Sequence, residues 1–333
     1  MKAVVMPATG KPQVLQYQDI DTPVLSGGRQ VRVQLKAAGV NPVDTKLRSR
    51  GLYFESATPV ILGCDGAGVV TDVGDEVKRI RPGDEVWFCH GGLGREQGNY
   101  AEFTVVDERY VHLKPKSLDF VQAAAAPLVL LTAWEALYDR ARLTPGQTVL
   151  IHAGAGGVGH IAIQLAKLRQ CRVITTVSTT AKAEYVRGLG ADEVILYREE
   201  DFVERIMQLT DGAGVNVALD TIGGELFRRT LDGMAHYGDV VTILEPGSDV
   251  VWKNARNHNL RIGFVLMLTP MLYELDGALD HQGSILDQCA RWIDDGRITV
   301  TVGQRFDLAQ AVAAHELLEA GHMQGKIVLV IDA

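Results

Sequence analysis

The run Thr148-Val-Leu-Ile-His-Ala-Gly-Ala-Gly-Gly-Val-Gly-His160 restricts this chain more than any other stretch. A short apolar segment reads as a strand, a glycine-rich turn follows, and Ile161-Ala-Ile-Gln-Leu-Ala-Lys167 opens a helix. The glycines at 154, 156 and 159 have the G-x-G-x-x-G spacing of a dinucleotide fingerprint, and the strand-turn-helix setting gives that spacing its meaning. Gly154 is expected to permit the tight turn, Gly156 to let backbone approach a pyrophosphate, and Gly159 to let helix pack on strand. With Gly157 and Val158 they bring unpaired N–H groups and a positive dipole end to the phosphates.

The next strand, Arg172–Val177, leads to the place where an NAD site puts an acid on the ribose diol, about 20 residues beyond the glycines. Here the chain reads Ser178-Thr-Thr-Ala-Lys182, without an acid. Hydroxyls and a lysine suit a 2′-phosphate, which a carboxylate would repel, so Ser178 and Lys182 point to NADPH.

Charge narrows the partners. The 333 residues carry 33 Lys and Arg against 41 Asp and Glu, a net −8, which argues against nucleic acid or an anionic membrane. No apolar stretch reaches the ~20 residues that span a bilayer. The first residues lack the apolar segment of a signal peptide, so the expected location is cytoplasmic. Cys64, Cys89, Cys171 and Cys289 form no C-x-x-C pair and read as free thiols.

The first ~120 residues alternate apolar and polar positions between glycine-bearing turns, the pattern of a curled β domain. Helix is expected over 122–139, interrupted at Pro127. From 148 to about 265 the expected strands are 148–153, 172–177, 193–196, 215–219, 239–243 and 260–265. Helices at 158–169, 181–188, 200–209 and 224–235 fall between them, which predicts a doubly wound parallel sheet. The tail reads as helix 281–295, strand 297–302, helix 307–319 and a last strand 326–331. It is expected to rejoin the N-terminal β domain, leaving ligands in a cleft between domains.

Several segments together resemble the medium-chain dehydrogenase/reductase superfamily, and within it the zinc-independent quinone oxidoreductase branch. They are Ala38-Gly-Val-Asn-Pro-Val-Asp44, Gly63-Cys-Asp-Gly-Ala-Gly-Val-Val70, the stretch Asp72–Val86, the glycine turn, Gly190-Ala-Asp-Glu-Val-Ile195 and Gly325-Lys-Ile-Val-Leu329. The resemblance implies an α/β fold in which a Rossmann dinucleotide-binding domain, 125–267, is inserted in a GroES-like catalytic domain, 1–124 plus 268–333. Zinc-bearing relatives have a cysteine where this chain has Asn41, a histidine where it has Cys64, and cysteines in the loop that here spans 90–99. No metal is therefore expected.

The resemblance also suggests roles. Asn41 and Tyr53 are implied at the reacting end, Asn41 near the nicotinamide ribose and Tyr53 lining the substrate pocket, with solvent or Tyr53 relaying a proton. Thr132 is implied on the nicotinamide side, Tyr197 beside the adenosine phosphate, and Lys326 within reach of the cofactor phosphates. Leu244, Phe264 and Val265 are expected as apolar walls of the nicotinamide pocket, while Asp220 reads as a cap or turn former. His152 and His160 read as packing or helix-start residues.

Without a Lewis acid, quinones and α,β-unsaturated carbonyls are the easier hydride acceptors, because conjugation spreads the incoming charge. The leading expectation is an NADPH-dependent quinone oxidoreductase, a homodimer as the family leans. A 2-alkenal or enone reductase, a non-catalytic NADPH-binding protein and a zinc alcohol dehydrogenase remain as rivals.

Overall fold

A computed structural model describes residues 1–54 and 60–332. The chain divides into two compact units, Met1–Leu128 with Leu268–Ala333, and Val129–Met267.

In the first unit, β1 (Lys2–Met6), β2 (Gln16–Asp19), β3 (Gln30–Val40), α1 (Pro42–Arg50), β4 (Val60–Ile61), β5 (Asp65–Val73), β6 (Glu85–Cys89), β7 (Phe103–Asp107), β8 (His112–Leu113) and α2 (Phe120–Ala124) follow in order. Strands β2, β1 and β4 make a small antiparallel sheet. The larger sheet is organised by β3. Its first half pairs with β7, Gln30 opposite Asp107 through Gln34 opposite Phe103, while its second half pairs with the last strand of the chain. An eleven-residue strand whose alternate positions are buried has the length to take two partners end to end along one edge. β5 covers its other edge.

The second unit begins within α3 (Pro127–Trp134) and continues with β9 (Thr148–Ile151), α4 (Gly157–Leu168), β10 (Arg172–Val177), α5 (Thr180–Gly188), β11 (Glu193–Leu196), α6 (Phe202–Leu209), β12 (Val215–Asp220), α7 (Gly224–Thr230), β13 (Met234–Thr242), α8 (Trp252–Asn257) and β14 (Arg261–Phe264). The six strands are parallel, in the order β11-β10-β9-β12-β13-β14. Strand order reverses beside β9, so the glycine turn leaves the sheet at the switch point where doubly wound folds bind ligands. Leu150, Ile174, Ala218 and Val240 of adjacent strands pack against Phe202, Ile206, Phe227 and Leu231, all nearly solvent-free.

The chain returns to the first unit as α9 (Thr269–Leu272), α10 (Asp276–Asp294), β15 (Val302–Asp307), α11 (Ala311–Ala320) and β16 (Lys326–Val330). Here the expected pattern shifts. The strand anticipated at 297–302 forms at Val302–Asp307, because the ladder with β16 starts at Val302 opposite Lys326. Ile298 and Val300 are buried, so the apolar alternation at 297–302 reports packing without strand pairing. Pro127 starts a helix, as its fixed φ allows at a first helical position, and a π-helical segment at Glu135–Arg140 continues it. The helix expected at 224–235 stops at Thr230, and α8 was not anticipated.

Among the described residues no helix is long and apolar enough to cross a membrane. All four cysteines are free and buried.

Three buried histidines load the fold against acid. Burial pushes His90 down to about 4 and His315 down to about 3, and also lowers His152, whose ring nitrogens meet Thr176 Oγ1 at 3.1 Å and Thr230 Oγ1 at 2.9 Å. A histidine with a depressed folded value contributes stability above its unfolded value near 6.5, and that stability is lost as pH falls toward the folded value. Burial raises the Asp44 and Asp65 carboxyls, which act in the opposite sense but are two groups against three. The melting temperature should therefore fall steeply between pH 6.5 and about 4. Differential scanning calorimetry across that range tests this, and a flat profile would contradict it.

Candidate active site

The glycine turn is built by close approach. A Cβ on Gly154 would lie 2.1 Å from Thr175 Oγ1, and one on Gly159 would lie 2.3 Å from the Ala153 carbonyl oxygen. Both positions are needed for helix α4 to press against β9 and β10. Within the turn it is Ala153 that takes the left-handed conformation, at φ 49°, while the room at Gly154 is limited by Thr175. Gly156 differs from both. Its Cβ would meet only the Ala153 oxygen, at 3.2 Å, and otherwise points into open space. Gly156, Gly157 and Val158 are half-buried around the start of α4, whose first N–H groups have no partner within the helix. This is a cradle that a side chain at 156 would fill.

The ends of β10 and β11 carry the next features. Val177 and Leu196 are register partners, so the residues after them, Ser178 and Tyr197, extend side by side from the sheet. Thr179 caps α5 by accepting the Lys182 backbone N–H at 3.3 Å, which fixes the turn that carries the Lys182 side chain. Burial first, and the nearby Arg198 guanidinium second, lower the Lys182 ammonium below its ordinary value. Two cations thus lie near each other in the stretches after β10 and β11 that also carry Ser178 and Tyr197, and Ser178–Lys182 contains no acidic residue. Arg198, which reads from the sequence as a solvated charge, is exposed, and its guanidinium is near enough to act on Lys182.

Farther along the same edge, Asp220 closes a turn after β12. Its carboxylate accepts the backbone N–H groups of Ile222 and Gly223 and the Thr242 hydroxyl of β13, which matches the turn-former expectation. Thr242 and Leu244 are linked in turn, leaving Leu244 half-buried. Phe264 is 59% exposed at the end of β14 and Val265 is buried beside it. Thr132 is buried inside α3. His160 Nδ1 lies 3.0 Å from the Gly156 carbonyl oxygen, where it braces the start of α4.

In the first unit, Asn41, Lys326 and Asp65 meet in a buried cluster. Asn41 caps α1 in a capping box with Asp44, whose Oδ2 accepts the Asn41 N–H at 2.8 Å. The Asn41 amide nitrogen donates to Asp65 Oδ2 at 2.8 Å, and its oxygen accepts from the Lys326 ammonium. Lys326 also donates to the Val40 carbonyl at 3.2 Å and stands 3.7 Å from Asp65 Oδ2. The reach of Lys326 toward cofactor phosphates is therefore not what this geometry offers: the ammonium is taken up inside the first unit. Asn41 is likewise engaged at both ends of its amide and fully buried, so it serves the cluster. Tyr53 remains half-exposed, with burial and then Cys64 pushing its phenol above its ordinary value.

A zinc ion does not fit this donor set. Asn41 and Cys64 stand at the implied ligand positions, and the Lys326 ammonium already holds the Asn41 oxygen and neutralises Asp65. Burial pushes the Cys64 and Cys89 thiols well up, disfavouring thiolates. Among the described residues, no group of three or more His, Cys, Asp or Glu is arranged to hold a metal ion.

A parallel sheet with a glycine turn at its switch point, carried within a β-rich unit, defines a dinucleotide-dependent oxidoreductase. Family models agree: residues 27–116 match the alcohol dehydrogenase GroES-like domain and residues 189–329 match zinc-binding dehydrogenase. The chain is 37% identical over 330 residues to a quinone oxidoreductase of Pseudomonas aeruginosa, covering 99% of each. Among solved structures, an NAD-dependent alcohol dehydrogenase superposes with a TM-score of 0.90 at 33% identity, covering all of both chains. The Escherichia coli quinone oxidoreductase complexed with NADPH gives 0.87 at 32% identity, with 99% of this chain and 100% of that one covered. The chain belongs to the quinone oxidoreductase branch of the medium-chain dehydrogenase/reductase family.

The contrast between the glycines is testable. Gly156→Val should leave a folded protein, destabilised by roughly 1 kcal/mol, that no longer binds dinucleotide. Gly159→Val should fail to fold, since its side chain has only backbone to displace. Thermal unfolding and dinucleotide fluorescence titration separate the two; intact binding by Gly156→Val would remove the cradle.

Proposed function

We propose that this protein transfers hydride from NADPH to quinones without a metal. One observation carries the reading: at the end of β10 the acid of an NAD site is replaced by Ser178, and the nearby Lys182 ammonium, lowered first by burial, has the Arg198 guanidinium close enough to lower it further. Paired cations have no partner on a ribose diol but suit a 2′-phosphate dianion. Gly154, Gly156, Gly157, Val158 and Gly159 would hold the pyrophosphate, and Tyr197 would border the adenosine phosphate. Thr132, Leu244, Phe264 and Val265 would orient the nicotinamide ring. The bound cofactor supplies the hydride; the chain's residues position it, exclude water and supply a proton, with Tyr53 as the exposed donor. Quinones accept hydride without a Lewis acid because the charge delocalises onto oxygen, in keeping with a cluster that holds an ammonium where relatives hold zinc.

The protein should work in the cytoplasm as a homodimer. Edge strand β14 pairs only with β13 among the described strands, and Leu266 just beyond it is exposed, an edge suited to a second copy. Sedimentation equilibrium should return twice the chain mass.

NADPH oxidation with ortho- and para-quinones, set beside NADH and a panel of enones, tests the reaction. Fast turnover with NADPH and quinones is expected; exclusive turnover of enones would reassign the acceptor. Lys182→Ala should weaken NADPH binding by roughly 1–3 kcal/mol, the scale of a charge-assisted hydrogen bond, and leave NADH binding nearly unchanged. Equal losses for both would move the 2′-phosphate elsewhere.

A further inference from the structure

Ala153 is the strained point of the glycine turn, a residue with a Cβ held at φ 49°. Such a conformation persists only where the surroundings fix it. Both of its polar groups are engaged. Its carbonyl oxygen accepts the Gly156 N–H at 2.9 Å and occupies the space that a side chain at Gly159 would need. Its N–H lies beyond the β9–β10 ladder, which ends at Ile151 opposite Thr175, and donates to the Thr176 hydroxyl oxygen at 3.2 Å. The turn before the Gly156 cradle is therefore set by the direction in which the Thr176 hydroxyl points.

That direction is decided by His152, which reads from the sequence as a packing residue. Its ring is solvent-free, with Nε2 2.9 Å from the Thr230 hydroxyl oxygen and Nδ1 3.1 Å from that of Thr176. Counting protons leaves one arrangement. The Thr230 hydroxyl has a single proton, and it goes to the Leu226 carbonyl oxygen at 2.7 Å, which can only accept. Thr230 must then accept from His152, which puts the ring proton on Nε2. A neutral imidazole protonated there has a bare lone pair on Nδ1. Thr176 donates to that lone pair and turns its own lone pairs to the Ala153 N–H. Burial keeps the ring neutral, lowering it to about 4 against the pull of Asp220. The Phe202 ring, 5.1 Å away between centroids and at 89°, fixes the imidazole plane.

We propose that His152, as its Nε2–H tautomer, is a positioning residue of the dinucleotide turn: through Thr176 it holds Ala153 left-handed and keeps the Gly156 cradle in shape for the pyrophosphate. The inference rests on the reading that the glycine turn binds the cofactor. The hydrogen bonds run one way, from the Ala153 N–H to Thr176, from Thr176 to His152, from His152 to Thr230 and from Thr230 to the Leu226 carbonyl of α7. Each group's proton is committed by the next, so the fixed end in α7 orients the far end at the turn. Remove the Nδ1 lone pair and the Thr176 hydroxyl is free to rotate its proton toward the Ala153 N–H, two donors face to face. The backbone of His152 is anchored separately, its N–H donating to the Leu219 carbonyl at 3.1 Å and its carbonyl accepting from the Thr221 hydroxyl at 3.1 Å. A change of its side chain therefore acts on the turn that follows and not on strand β9.

Nitrogen NMR of the histidine rings at neutral pH, with His152 assigned from its through-space contact with Phe202, should show a protonated Nε2 and an unprotonated Nδ1. A protonated Nδ1, alone or in a charged ring, overturns the proposal. Calorimetric titration with NADPH and with 2′-AMP, which has no pyrophosphate, reads the consequence. His152→Leu and Thr176→Val should each weaken NADPH binding roughly tenfold, the scale of one lost hydrogen bond, and leave 2′-AMP binding unchanged. Thr176→Ser, which keeps the hydroxyl, should restore the NADPH affinity that Thr176→Val loses. Thr176→Val keeps the imidazole in place, so it decides the matter if His152→Leu does not fold. Equal losses for both ligands, or no rescue by Thr176→Ser, would make His152 a packing residue only and overturn the proposal. Gly156→Val checks the reading beneath it. If Gly156→Val loses NADPH while Thr176→Val binds it as the wild type does, the positioning role alone falls; if Gly156→Val still binds NADPH, the cradle falls and the proposal with it.

Discussion

The Lys326 ammonium, buried between the Asn41 amide, the Val40 carbonyl and Asp65, is the contact on which the first unit turns. It joins the first residue of the last strand to the end of β3, the cap of α1 and the start of β5, four pieces separated by up to 286 positions. A buried ammonium is tolerated only where nearby charge and hydrogen bonds offset the loss of water. Asp65 supplies the charge, Asn41 and Val40 the acceptors. That requirement also ranks the acids: once Lys326 is committed to Asp65, Asp44 is left with neutral donors.

The second unit depends on a different constraint, the spacing of backbone. Gly154 and Gly159 are small because Thr175 and the Ala153 carbonyl already occupy the space, which draws α4 tight against the sheet. Gly156 is small although little protein fills its side. A parallel sheet then gathers the ends of its strands on one edge, so Ser178, Tyr197, Asp220, Leu244 and Val265 come together from stretches far apart in sequence.

Legibility followed the range of the interactions. The β9–α4 turn and the strands at 172–177 and 193–196 were readable because periodicity and glycine spacing are local signals. The strand expected at 297–302 was displaced because pairing with β16 is decided by a partner about 25 residues away, while the burial of Ile298 and Val300 produced the same alternation. Asn41 was expected near the nicotinamide ribose and Lys326 at the cofactor phosphates; their contact with each other was not legible, since nothing in the local sequence says that an amide and an ammonium will bind each other. Arg198 reads from the sequence as a solvated charge, and its nearness to Lys182 was not legible for the same reason: the two follow adjacent strands.

By itself, then, the sequence determined the class of fold, the dinucleotide turn and the lack of an acid after β10, because each is written within a few consecutive residues. Only the tertiary structure decided which glycine is open to a ligand, that the Lys326 ammonium lies inside the first unit, and which buried carboxylate is left without a counter-charge. Those outcomes are set by distances between residues remote in the chain and by the removal of water around them, and neither is encoded in local spacing.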